Sequence, residues 1–395
     1  MIIKPRFKDF ICITAHPEGC KKNVLDQVGY TLKKGKISGA KKVLVLGAST
    51  GYGLASRIVS TFGMDADTIG VVFEKPATNN KPATAGWYNT ATFEEEAKKY
   101  GFQSKTINGD AFSNETKEKI IEVIRNTFGK VDLVIYSIAS PRRRDPNSDK
   151  VYNSKLKPIG DIYENKTVDF HTKVISNTKI EPATSEEIEE TIKVMGGEDW
   201  KLWIEKLSKA DVLADGAKTI AYSYIGPDIT HAIYRSGTIG KAKEDLEKTA
   251  HELNKFLSKS NGSAYVAVNK ALVTQSSLAI PVLPLYISIL NKVMNAKSIN
   301  EGCIEQMYRL FSDFLYKEDI LLDSKRRIRL DDLEMRDDVQ KEVLDIWNQI
   351  NSDNINNLTD IDAFENEFFK LFGFAISDIN YDTEVEQKVE IENLI

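Results

Sequence analysis

Residues 42–54 read KVLVLGASTGYGL, and this short run decides the fold. Lys42–Leu46 is apolar, β-prone and of the length of a strand buried on both faces. Gly47, Gly51 and Gly53 follow at once in the spacing GxxxGxG, and Tyr52–Phe62 has helical character up to Gly63. A second strand is expected at Thr68–Phe73, ending in Glu74, which stands 21 residues beyond Gly53. Strand, glycine turn, helix and strand make a βαβ unit. Glycine lets the backbone turn sharply and approach a diphosphate, which sits on the free N–H groups at the helix start. A carboxylate ending the second strand is placed to hold adenosine ribose hydroxyls.

The alternation continues. Gly86–Tyr100 has a helical pattern, Ser104–Asn108 a strand pattern, Thr116–Phe128 a helical one, and Val131–Ile138 is a buried strand. In a doubly wound sheet the ligand lies over the carboxyl ends of the strands. Asp110-Ala111 and Ile138-Ala139 fall at two such ends and are expected to meet the adenine and the ribose–nicotinamide half of a dinucleotide. No GxxxxGK[ST] occurs, which excludes a nucleoside-triphosphate P-loop. The fold class is therefore α/β, a Rossmann-type doubly wound parallel sheet. Its core is expected at about 40–140 and 218–290, with an insertion at about 150–217 and a helical C-terminal part at about 298–375, all in one elaborated catalytic domain. Around this frame, a strand is expected at Phe10–Thr14 and a helix at Asn23–Lys33. His16 and Cys20 lack a second ligand pair, so a turn is expected there and no metal. Arg142, Arg143 and Arg144 beyond the Val131–Ile138 strand either bind substrate phosphates or form a solvated loop. The proline-bearing apolar run from Ile280 is either a wall for an acyl chain or plain core.

Tyr234 and Lys243 are the candidate pair for the chemistry. They stand nine positions apart, and at about 100° per residue nine steps put them on opposite faces of a regular helix. The economical arrangement keeps Tyr234 in a loop and starts the helix near Ser236 or Thr238, both good N-cap types. Lys243 then lies about one turn inside and points back. A surface tyrosine and a solvated lysine are the alternative.

The chain has 395 residues, a net charge of −5 and 28% charged residues, so a nucleic-acid partner gripped by a basic surface is not expected. Three cysteines without CxxC spacing suggest reduced thiols. No segment has the layout of a signal peptide or the length of a membrane span, and a soluble cytoplasmic protein is expected.

Taken together, the glycine turn, Ser140-Pro-Arg-Arg, Tyr224 and the Tyr234–Lys243 spacing resemble the FabV-type trans-2-enoyl-CoA and enoyl-acyl-carrier-protein reductases. The likeness runs the full length, including MIIKPR, Gly86-Trp-Tyr, Glu301–Gln306 and Arg327–Asp332. The resemblance implies an NADH-dependent enzyme acting on enoyl-CoA or an enoyl carrier protein, with no metal, mostly monomeric. It implies Tyr234 as catalytic donor, Lys243 as its partner and a cofactor ligand, and Tyr224 as a substrate contact. It assigns the cofactor to Gly47, Ala48, Ser49, Thr50, Gly51, Tyr52, Phe73, Glu74, Asp110, Ala111, Ile138, Ala139, Lys243, Leu272, Val273 and Thr274. A carbonyl-reducing short-chain dehydrogenase, which prefers a shorter Tyr–Lys gap, and a non-catalytic NAD-binding module are the rivals.

Overall fold

The computed structural model describes residues 1–8, 11–275 and 277–395. Seven parallel strands form one sheet: β1 (Lys42–Leu46), β2 (Asp67–Val72), β3 (Ser104–Asn108), β4 (Val131–Tyr136), β5 (Leu213–Ser223), β6 (Ser263–Val268) and β7 (Ile328–Arg329). Their order across the sheet is 7-6-5-4-1-2-3. Chain direction along the order reverses between β1 and β4, the place where such sheets open a ligand crevice. Val43 and Val45 face one side, against the helices Gly51–Ile58, Ala85–Lys99 and Pro17–Lys34. Leu44 and Leu46 face the other, against Asn114–Val123, Glu198–Lys209 and Thr238–Leu257. The two-residue alternation of a strand thus feeds two cores at once.

A third apolar cluster caps one end of the sheet. It joins Tyr163, Val168 and Phe170 of an antiparallel hairpin, Tyr163–Asp169 and Val174–Ile180, to the helices Leu283–Ala296, Asp337–Gln349 and Ile361–Lys370. Tyr234 belongs to this cluster. The C-terminal tail returns to the opposite edge: Thr106 N–H donates to Asn393 O at 3.1 Å and Ile395 N–H to Thr106 O at 2.9 Å. Edge strand β3 is thereby covered.

The structure differs from the sequence reading in several places. Ile328–Arg329 was expected among helices and instead adds β7 to the sheet beside β6. Helix Glu198–Lys209, inside the stretch read as an insertion, buries Trp200, Trp203, Ile204 and Leu207 on the sheet as a crossover helix. The first long helix begins at Pro17, six residues earlier than expected, because the His16 side chain accepts the Gly19 N–H as an N-cap. Of the expected strand Phe10–Thr14, Ile11–Cys12 is a strand and Phe10 lies outside the described residues. Among the described residues no three metal-ligating side chains cluster, and no helix is long and apolar enough to cross a membrane.

One buried ion pair ties the first βαβ unit to the helix and strand that follow it. Arg57, 1% exposed, donates to Glu94 Oε1 at 2.7 Å, to Thr106 Oγ1 at 2.8 Å and to Lys105 O at 2.9 Å. Its guanidinium lies over the Phe93 ring, and Gly70 in β2 leaves it room, since a Cβ there would fall 2.5 Å from the guanidinium. Arg57→Met leaves Glu94 buried without its cation and is expected to cost about 3–5 kcal/mol. Adding Glu94→Gln should recover part of the loss. Urea unfolding of the two variants checks this, and a single-variant loss below about 1 kcal/mol would contradict it.

Candidate functional site

The site opens at the carboxyl ends of β1, β4, β5 and β6. The glycine spacing has a steric cause. Gly47 has φ +85°, and a Cβ there would lie 2.1 Å from Ser137 O, so β1 and β4 exit in contact. A Cβ on Gly53 would lie 1.9 Å from Gly47 O, so the helix start packs directly on the turn. Gly51 opens the helix at φ +53° with free space around it. Thr50 makes no side-chain cap, which leaves the first N–H groups of this helix for a ligand. The cradle fits the diphosphate of a dinucleotide.

Glu74 closes the adenosine side. Asn108 holds its backbone from both sides, accepting Glu74 N–H at 2.8 Å and donating to Glu74 O at 2.9 Å. Ser49 Oγ donates to Glu74 Oε1 at 2.6 Å. Burial pushes the Glu74 carboxyl above its usual range, against the hydrogen bonds from Ser49 and Thr84. Beside it the Phe73 ring is 78% exposed, free to flank an adenine. The Asp110 side chain accepts Phe112 N–H at 2.9 Å, and Ala111 O accepts from Lys117 Nζ and Trp203 Nε1, so that turn is pinned from beneath. Ile138 is half-buried and Ala139 exposed at the exit of β4. Leu272 and Val273 are buried, and Thr274 is closed into a turn by reciprocal hydrogen bonds with Ser277.

Tyr234 sits in a turn, as its distance from Lys243 requires, but the cap differs from expectation. The N-cap of helix Thr238–Leu257 is Gly237, and its side of the cap is empty. The carbonyl of Tyr234 serves instead, accepting Gly237 N–H at 3.1 Å and Gly240 N–H at 3.0 Å. A Cβ on Gly240 would lie 1.8 Å from Arg235 O, so this close seating needs glycine. Thr238 Oγ1 donates to Lys155 O, tying the helix start to the insertion.

The Tyr234 side chain is buried, its ring in T-shaped contact with that of Tyr224 at 4.9 Å between centroids and 75° between planes. Among the described residues its hydroxyl has no hydrogen-bond partner, and burial pushes that hydroxyl well above the usual phenol range. Lys243 Nζ donates to Tyr222 O at 3.0 Å, near the end of β5 and two residues before Tyr224, which follows the strand. Burial lowers its ammonium to about 8, with Glu247 pulling the other way. Tyr234 and Lys243 therefore converge on the end of β5 without bonding each other.

The sequence reading missed Glu334. Its carboxylate is fully buried and accepts from Tyr224 OH at 3.1 Å, Tyr286 OH at 2.7 Å and Ala271 N–H at 2.8 Å. It stands in an acidic run 110 residues from Tyr224, where no spacing signal reaches. Arg143 is a correction to both earlier readings of the arginines. It is 1% exposed and donates to Glu198 at 2.8 Å and Lys193 O at 2.7 Å, which leaves Arg142 and Arg144 as the exposed pair.

Gly86 gives a test of the adenosine side. A Cβ there would lie 2.1 Å from Glu74 Oε1 and 2.7 Å from Ser49 Cβ. Gly86→Ala should push the carboxylate aside and weaken NADH binding about tenfold, the worth of a lost hydrogen bond or so. Fluorescence titration with NADH reads this directly, and unchanged affinity would remove Glu74 from the cofactor site.

Three family models match the chain. Residues 81–316 match the trans-2-enoyl-CoA reductase catalytic region, and residues 2–79 match the NAD(P)H binding domain of trans-2-enoyl-CoA reductase. The cut between them passes through the sheet, with β1 and β2 in one piece and β3 to β6 in the other. Residues 322–385 match a model described as the enoyl reductase FAD binding domain. That stretch does not fit a flavin dinucleotide, whose diphosphate needs an open glycine turn. Its one glycine, Gly373, is packed against backbone of Cys20 and His16, and Arg327, Arg329 and Arg336 are engaged by Asp323, Asp331 and Asp338. A trans-2-enoyl-CoA reductase (NADH) of Ruminiclostridium cellulolyticum is 58% identical over 394 residues, covering 100% of both chains. An enoyl-acyl-carrier-protein reductase (NADH) of Cytophaga hutchinsonii is 54% identical, again over 100% of both. The crystal structure of Treponema denticola trans-2-enoyl-CoA reductase in complex with NAD is 49% identical, covers 99% of this chain and 100% of its own, and superposes with a TM-score of 0.95. Matched end to end by these relatives, and over most of its length by the reductase models, the chain belongs to the trans-2-enoyl-CoA reductase family.

Proposed function

We propose that the chain, acting as one catalytic unit, reduces the trans-2 double bond of enoyl thioesters at the expense of NADH. NADH, when bound, supplies hydride to the β-carbon of the unsaturated thioester, and negative charge then develops on the thioester oxygen. A preorganised hydroxyl aimed at that oxygen stabilises the charge. One observation supports Tyr234 over Tyr224 for this task. The Tyr224 proton is committed to Glu334, whereas the Tyr234 hydroxyl has no partner among the described residues. Tyr224 then shapes the pocket through its ring. The Lys243 ammonium favours negative charge nearby and is suited to hold the nicotinamide ribose, and Glu74 is suited to hold the adenosine ribose.

The Glu74 carboxylate also disfavours a 2′-phosphate, by charge and by occupancy. The Tyr–Lys gap is longer than a carbonyl-reducing dehydrogenase prefers, and the intact pair argues against a binding-only module. Relatives are named for both the CoA and the carrier-protein substrate. NADH oxidation with crotonyl-CoA and with the same acyl chain on a carrier protein decides which carrier this chain prefers, and no turnover on either would end the reading. Monomeric state and a cytoplasmic location complete the proposal.

Tyr234→Phe keeps the ring and removes the donor. It should lower kcat about 100- to 1,000-fold, or roughly 3–4 kcal/mol, with NADH affinity nearly unaltered. Tyr224→Phe should cost less. If Tyr234→Phe keeps more than about a tenth of the wild-type kcat, the donor is another group.

Lys243 sets a pH limb. With its ammonium lowered to about 8, the free enzyme holds the charge below that pH and loses it above. The kcat/KM for NADH should therefore fall as pH rises through about 8. Lys243→Arg, which stays charged, should lose that limb, and the same limb in both proteins would assign it elsewhere.

A further inference from the structure

The buried carboxylate of Glu334 is unexplained by the reaction as described so far. An ionised carboxyl at full burial is costly unless every lone pair is used. Here Oε1 takes two phenol protons, from Tyr224 at 3.1 Å and Tyr286 at 2.7 Å, and Oε2 takes the Ala271 N–H at 2.8 Å. The buried Lys270 ammonium, which donates to Ala271 O and Asn291 Oδ1, offsets the charge from nearby. The Ala271 bond holds the carboxyl plane in one orientation, so that Oε1 faces the two tyrosines. Gln340 Nε2 donates to Tyr286 OH at 3.2 Å and to Glu334 O at 2.7 Å, closing the network behind it.

What this network controls is the direction of one proton. A phenol donates once. With Glu334 accepting, Tyr224 commits its hydrogen to the carboxylate while its ring stays in T-shaped contact with Tyr234. Without an acceptor there, the Tyr224 hydroxyl is free to rotate and to compete with Tyr234 for the same oxygen. The ring contact would loosen with it.

We propose that Glu334 is a positioning residue for the reduction, acting through Tyr224: it fixes the rotamer and proton of Tyr224 so that Tyr234 alone presents a donor hydroxyl. The role rests on the enoyl reductase reading above. It gives the C-terminal stretch 322–385 a part in the site that needs no bound group. Glu334→Gln keeps the shape but cannot accept from the tyrosines and from Ala271 N–H together, because one of its two terminal atoms is an amide NH2.

The test is a double-mutant cycle of Glu334→Gln and Tyr224→Phe, read as kcat/KM for crotonyl-CoA at saturating NADH. The single Glu334→Gln variant should lose about tenfold or more, the usual scale for a hydrogen bond to a charged group. Since both changes cut the same bond, the double variant should be no slower than the slower single variant. A Glu334→Gln variant within about twofold of wild type, or losses that multiply in the double variant, would overturn the proposal. Multiplied losses are the signature of a merely structural residue. If Glu334→Gln does not fold, Glu334→Asp, which keeps the charge and draws it back by one methylene, takes its place in the same cycle. An inactive wild type would instead count against the enoyl reductase reading itself.

Discussion

Two amide N–H groups, from Gly237 and Gly240, meet the carbonyl of Tyr234, and the site depends on that cap. A helix start leaves its first N–H groups without partners. Usually a Ser, Thr or Asp side chain answers; here a main-chain carbonyl three residues before the cap does so. The consequence is geometric. The tyrosine that owns the carbonyl is locked to the start of the helix carrying Lys243, yet stays outside its spiral. Glycine at 237 and 240 makes the approach possible, since a Cβ on either would run into backbone oxygen. The long interval between tyrosine and lysine is therefore the length of a cap plus about one and a half helical turns.

Around that cap, polar groups are committed one by one until few are left over. Glu74 is held by Ser49 and Asn108, Arg57 by Glu94, Lys117 by Asp199, and Tyr224 by Glu334. Each pairing removes freedom from a group at or beneath the strand ends. The Tyr234 hydroxyl has no hydrogen-bond partner among the described residues, and on the proposed reading it is the donor. On that reading, preorganisation consists in part of occupying a competing hydroxyl, that of Tyr224.

The parts legible in the sequence are those set by short-range rules. Strands β1 to β4, the glycine turn and Glu74 lie where periodicity and turn chemistry put them, because each depends on neighbours close in the chain. The parts that were not legible depend on distant partners. β7 is two residues long, too short for any period, and exists only because β6 offers an edge. Arg143 looked like part of a solvated triplet, and its burial follows from Glu198, far along the chain. Glu334 lies in a stretch rich in aspartate and arginine whose pattern is that of an exposed surface, yet it turns inward to two tyrosines. Charge composition cannot reveal which member of a charged run is buried.

In the proposed reaction hydride reaches the β-carbon of an enoyl thioester while a tyrosine hydroxyl steadies the oxygen. Reduction of crotonyl-CoA by NADH carrying deuterium on the nicotinamide C4, followed by mass and NMR analysis of the product, tests it most directly. The expected product is butyryl-CoA with the cofactor's deuterium on the β-carbon and a solvent-derived hydrogen on the α-carbon. Deuterium on the α-carbon, or on a carbon that had been a carbonyl when acetoacetyl-CoA is offered in competition, would contradict it.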